Sequence, residues 1–124
     1  ERYNADLANG LGNFVSRVSA LAKKFGSYEI IPRRLESNVK LEVKRAGRLV
    51  DVKIGAFRLN EALAAVWDLV FFGDRYINRH KVWATEKPDE QIRQISNLLF
   101  VLDNIAGLLT PFLPETSRKI RKKC

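Results

Sequence analysis

The chain has 124 residues, room for one core and not for a catalytic unit and a binding unit side by side. Its one cysteine, Cys124, excludes an internal disulfide and a cysteine-based zinc cluster, and one histidine, His80, supports neither a catalytic triad nor a metal site. Lys and Arg outnumber Asp and Glu by 22 to 14, a net charge of +8 that favours a polyanionic partner. Five of those cations, Arg118, Lys119, Arg121, Lys122 and Lys123, stand in the last seven residues, and without them the excess falls to +3. They read equally as end charges that complement a helix dipole.

A first helix is expected from Tyr3 to Phe25, closed by Gly26. At about 100° per residue, Tyr3, Leu7, Leu11, Phe14, Val18, Leu21 and Phe25 form one apolar stripe. Asp6, Asn9, Asn13, Arg17 and Lys24 lie on another side, with Asn9, Asn13 and Arg17 one turn apart. Asn presents a donor and an acceptor to a base edge, and Arg a planar fork to base or phosphate. Spacing alone leaves two readings open, a solvated helix face or a base-reading pair.

The stretch 26–36, with Pro32 and two arginines, reads as a connector. Val39, Val43, Ala46, Val50 and Ile54 then recur at helical spacing, with a cap expected near Ser37 or Asn38. Val39, Leu41 and Val43 also alternate as a strand would, and Gly47 costs a helix about 1 kcal/mol relative to Ala, so a short hairpin is the alternative.

Phe57 to Arg79 carries Leu59, Leu63, Val66, Val70 and Ile77 on one face and Trp67, Phe71, Phe72 and Tyr76 around much of the rest, as in a helix packed on several sides. Glu61, Asp68 and Asp74 lie on it beside Arg58 and Arg75 and read as ion pairs or a solvated face. Trp83 follows in the basic run 78–84, where it either stacks an unpaired base or folds back to plug the end of the bundle. A fourth helix is expected from Pro88 to Leu109, with Ile92, Ile95, Leu98, Leu99, Leu102, Ile105, Ala106 and Leu109 buried, and Pro111 ends it. Asn4, Asp103 and Asn104 read as ties between helices. Pro114 to Lys123 forms a short last helix. The fold class that results is all-α, an up-and-down bundle of four main helices and a short C-terminal one, filling residues 1–124 as one domain.

Three segments resemble, in order and spacing, the anticodon-binding domain of methionyl-tRNA synthetases. RYNADLANGLGNFVSR is similar to that domain's opening pattern, N-A/S-D-L-A-N-x-L-G-N-x-x-S-R. The run 74–78 with Trp83 resembles its N-R-Y-I-D/N followed by P-W, and 109–116 resembles L-x-P-F-x-P-E-T. The resemblance implies a tRNA partner held by its C-A-U anticodon loop, with Trp83 stacking on the first anticodon base, cytosine, and Asn13 and Arg17 at its edge. Val82 replaces the family's usual proline. Asn9 extends the polar stripe, and Arg79 and Lys81, with Arg75 and His80, are candidates for phosphates.

No H-I-G-H-like or K-M-S-K-S-like segment occurs, so catalysis, with its ATP and methionine, is expected in another domain of the same polypeptide, and no cofactor in this one. The chain opens inside a helix without a cap, as a domain of a longer enzyme would. A cytoplasmic protein without a membrane partner is expected, since no apolar run of about 18 residues and no signal pattern is present. The alternatives are the equivalent bundle of a valyl, leucyl, isoleucyl or cysteinyl enzyme, or a basic protein-interaction module.

Overall fold

A computed structural model of the chain describes the backbone of residues 2–112 and 114–123, and the side chains of 9–112, 115 and 117–120. Five α-helices result: α1 (Arg2–Phe25), α2 (Ser37–Gly55), α3 (Leu59–His80), α4 (Pro88–Leu109) and α5 (Pro114–Lys123), with 3₁₀ turns at Pro32–Arg34 and Val82–Ala84. No strand occurs among the described residues, and the helical reading of α2 prevails: it runs unbroken through Gly47 with Val39, Val43, Ala46 and Val50 buried.

α3 and α4 pack on each other and on both α1 and α2, and α5 closes on α4. α1 and α3 run parallel, because their successive contacts climb together. The Trp67 ring lies where a Cβ on Gly10 would come within 2.6 Å of it, and Phe14 covers Gly73 in the same manner. Both glycines therefore let the helices approach. α2 runs antiparallel to α3: Lys53 pairs with Glu61 at 3.0 Å at one end, while Tyr76 donates to the Glu36 carboxylate at the other. This is the up-and-down arrangement expected.

In α1 the described part of the apolar stripe is buried, with Leu11, Phe14, Val18 and Leu21 in the core and Phe25 packed on its edge. Gly26 adopts φ +67 and ends the helix. Tyr3, Asn4, Asp6, Leu7, Leu113, Pro114, Thr116, Arg121, Lys122, Lys123 and Cys124 lie outside the described side chains. α4 is long and apolar enough to cross a membrane, but that surface is used inside the bundle, where Ile95, Leu98, Leu102, Ile105 and Leu109 are buried.

Five expectations are corrected. α3 begins at Leu59, because Phe57 sits at φ +58 outside any helix; Leu59, expected in the core, is 53% exposed in the first turn. Ile92 is only partly buried, since it stands near the open start of α4. Neither Ser37 nor Asn38 caps α2: the cap position is Glu36, which makes no side-chain cap bond, and its N–H is accepted instead by Oδ1 of Asn97 from α4 at 2.8 Å. Asn104 donates to the carbonyl of Phe100 one turn back in its own helix rather than to a neighbour, and the tie between segments is made by Asn97 and Ser96.

Those two buried polar residues pin the connector that crosses the end of the bundle. Asn97 Nδ2 donates to the carbonyls of Arg34 and Arg93, and Ser96 Oγ exchanges bonds with the carbonyl of Glu29 and the N–H of Ile31. Glu36 accepts from Tyr76 and pairs with Arg93 at 3.0 Å. Burial, then that carboxylate, pushes the Tyr76 phenol far above its ordinary range, so it stays protonated and donates.

Candidate nucleic-acid interface

The polar side of α1 faces the C-terminal turns of α3. Arg17 donates from Nη1 to Oδ1 of Asp74 at 3.1 Å and from Nη2 to Oδ1 of Asn78 at 2.9 Å. Asp74 and Asn78 are one turn apart on α3, so the guanidinium bridges two rungs of the neighbouring helix. The carboxylate paired with Arg17 comes from another helix, and Arg75, its neighbour in sequence, has no part in the pair. Glu61 does pair with Arg58 at 3.5 Å, as expected, and with Lys53.

Two of the five guanidinium donors of Arg17 are used by these partners, and the rest remain for a ligand. Asp74 is half-buried. Burial pushes its carboxyl above the ordinary value, against the opposing pull of Arg17. A carboxylate held ionised at such a cost fixes the orientation of Arg17.

One turn before Arg17, Asn13 is exposed and makes no hydrogen bond to another described residue; Asn9 is the same. Two turns beyond Arg17, Lys24 Nζ donates to the Trp83 carbonyl at 2.8 Å. The stripe of α1 is therefore laid along the end of α3 as far as the turn that carries the tryptophan.

That turn starts at Lys81, whose backbone is left-handed (φ 46, ψ 54) and caps α3. The 3₁₀ turn Val82–Ala84 follows, closed by Ala84 N–H to Lys81 O at 2.8 Å and Thr85 N–H to Val82 O at 3.1 Å. The plug at the end of the bundle is Val82, which is fully buried, and Trp83 is 46% exposed. Of the two roles open to Trp83, plugging falls away. Where the family's proline would stiffen this turn through its ring, Val82 anchors it through its side chain.

Thr85 continues the support, donating to Gln94 and accepting through its carbonyl from Gln91, both at 2.8 Å. Arg79, His80 and Lys81 are exposed beside it, and the His80 ring lies 4.5 Å from that of Tyr76. Lys23 in the last turn of α1 and Arg33 in the first 3₁₀ turn add exposed cations, while Arg34 is engaged by Asp89 at 3.8 Å. No group of three or more metal-ligating side chains occurs among the described residues. The surface offers amides, guanidinium donors, an open aromatic face and positive charge, the set that binds unpaired nucleotides.

Sequence reasoning placed Asn13, Arg17 and Trp83 on this surface but missed Asp74, Asn78 and Lys24 as the residues that hold it together. The signal was present: Asp74 and Asn78 repeat at the four-residue spacing of Asn13 and Arg17.

An all-helical bundle with a cationic end of this kind defines a class of RNA-binding domain, and the comparison with known families agrees. The family described as "Anticodon-binding domain of tRNA ligase" matches residues 42–123, and the chain belongs to it. That match runs from within α2 to the end of α5, and longer relatives extend it through α1. A methionine–tRNA ligase of Clostridium acetobutylicum is 33% identical over 98% of the chain, one of Clostridium perfringens 33% over 97%, and one of Thermococcus onnurineus 31% over 96%. The chain spans 20% of the length of the two clostridial relatives and 17% of the archaeal one.

Proposed function

We propose that this domain reads the anticodon loop of a methionine tRNA, anticodon C-A-U, for a methionine–tRNA ligase. The observation that carries the reading is the bridge from Arg17 to Asp74 and Asn78, with Lys24 on the Trp83 carbonyl: it ties the helix that bears Asn13 and Arg17 to the turn that bears Trp83. Trp83 stacks on the first anticodon base, Asn13 pairs with its edge, and the free donors of Arg17 serve that edge or the adjoining phosphate. Asn9 extends the amide stripe, and Arg79 and Lys81 meet phosphates beside it.

Specificity comes from differential binding. Polar groups matched to cytosine are left unpaired by another base, at a cost of about 1–3 kcal/mol, roughly five- to hundredfold in affinity. Catalysis, with ATP and methionine, belongs to a domain elsewhere in the same cytoplasmic polypeptide. Titration with anticodon stem-loops that differ only in the first anticodon base tests this. The C-A-U loop is expected to bind at least fivefold more tightly than one with U or G there, and equal affinities overturn the reading in favour of a helical module that ignores sequence.

A further inference from the structure

Around α3 from the edge just described lies a second cationic feature, of which only Arg79 has so far been given a ligand, a phosphate beside that edge. Arg75 and Arg79 are exposed, and neither makes an ion pair or hydrogen bond with a described residue. At 100° per residue, Arg75 lies about 60° round the helix from Asn78 and Arg79 about 100° in the same sense. They occupy the solvent face between the side packed on α1 and the side packed on α2.

Both line a groove of about 260 Å³ between α2 and α3, with Phe72, Tyr76 and His80 in its wall and Glu42 on its rim. Arg75 also lines the adjoining groove of about 380 Å³, so it stands where the two meet. Glu42 faces Arg45 at 3.7 Å and Asp68 lines only the adjoining groove, so within the smaller groove Arg75 and Arg79 outnumber the one acid, Glu42. They are about 6 Å apart along the axis, far enough for each to meet a different phosphate.

We propose that this groove is a second RNA site, specific for sugar-phosphate backbone: the strand that leaves the base-reading edge passes round α3 and lays successive phosphates on Arg75 and Arg79. The inference rests on the anticodon-loop reading for the direction of the strand, but its ligand, phosphate, is independent of which base is read. It accounts for two guanidinium groups on consecutive turns that no described acid partners, although like charges at that spacing repel each other.

The test is the salt dependence of binding of a C-A-U anticodon stem-loop to the 124-residue chain. The double variant R75Q/R79Q is compared with K44Q/R48Q, which removes the same charge from the exposed face of α2. R75Q/R79Q is expected to weaken binding about tenfold or more at low salt and to flatten the plot of log affinity against log salt by about one to two units, equally for loops with either first base. K44Q/R48Q is expected to leave the slope unchanged. If the two pairs behave alike, or if R75Q/R79Q changes only the preference for the first base, the backbone site is overturned. Loss of base preference in the unaltered chain overturns the anticodon reading alone.

Discussion

Trp83 and Val82 are neighbours with opposite surroundings, and the difference predicts how their substitutions separate. Trp83→Ala removes an exposed ring, so thermal unfolding should change little while affinity for a C-A-U stem-loop falls about five- to hundredfold, the equivalent of about 1–3 kcal/mol of stacking. Val82→Ala removes buried methyl groups and should cost about 1–2 kcal/mol of stability, measured by denaturant unfolding, with a smaller loss of affinity as the turn loosens. Equal loss of stability in the two variants would place Trp83 in the core after all.

Asp74 gives a pH-dependent test at the same scale. Its carboxyl is raised above the unfolded value mainly by burial, so its contribution to stability is fully present in acid, below the unfolded value, and is lost as pH rises through the native one. Asp74→Asn removes that dependence. Its stability relative to the parent chain should rise between pH 3 and pH 7, and a gap that stays constant or moves the other way would mean that Arg17 outweighs desolvation. The variant also frees Arg17 from a charged partner, and base discrimination should weaken.

Among the elements, α1 and α2 each hold a glycine that packing does not explain. Nothing described lies within 4 Å of the place where a Cβ would stand on Gly12 or on Gly47. Alanine at either position should stabilise its helix by up to about 1 kcal/mol. Gly12 lies between Asn9 and Asn13 in sequence and about 60° round α1 from Asn9, at the margin of the proposed reading face, whereas Gly47 lies on the far helix. Gly12→Ala should therefore raise the melting temperature and lower RNA affinity, while Gly47→Ala should only raise the melting temperature. Unchanged affinity in Gly12→Ala would mean that RNA does not approach that face closely.

The helices themselves were legible because apolar spacing, Gly26, Pro88 and Pro111 mark their extents, and the start and end of α4 fall where expected. Less visible were the pairings between elements. The partner of Arg17 lies 57 residues away, and nothing local distinguishes Asp74 from a solvated carboxylate. The connector was no more readable, since Asn97 and Ser96 resemble any polar residues on a helix until the chain crosses them. Leu59 shows the opposite failure, an apolar side chain whose period predicts burial at a place where the turn between α2 and α3 meets solvent.

For the whole molecule, the crossing connector is what closes one end of the bundle. Asn97 is fully buried and holds it through Glu36 and Arg34. Asn97→Ala would leave buried backbone groups unpaired, at about 1–3 kcal/mol each, and should lower the melting temperature by on the order of 10 °C as the entire bundle loosens. Retention of the parent melting temperature would show that water replaces the side chain without cost.

Because Val82 secures the turn from inside while Trp83 stands outside it, the ring that meets the ligand carries little responsibility for the fold. Adjacent codons are thus exposed to separate selective pressures. A lineage could exchange the residue at 83, and with it the strength of stacking, in a single step that the bundle would scarcely register.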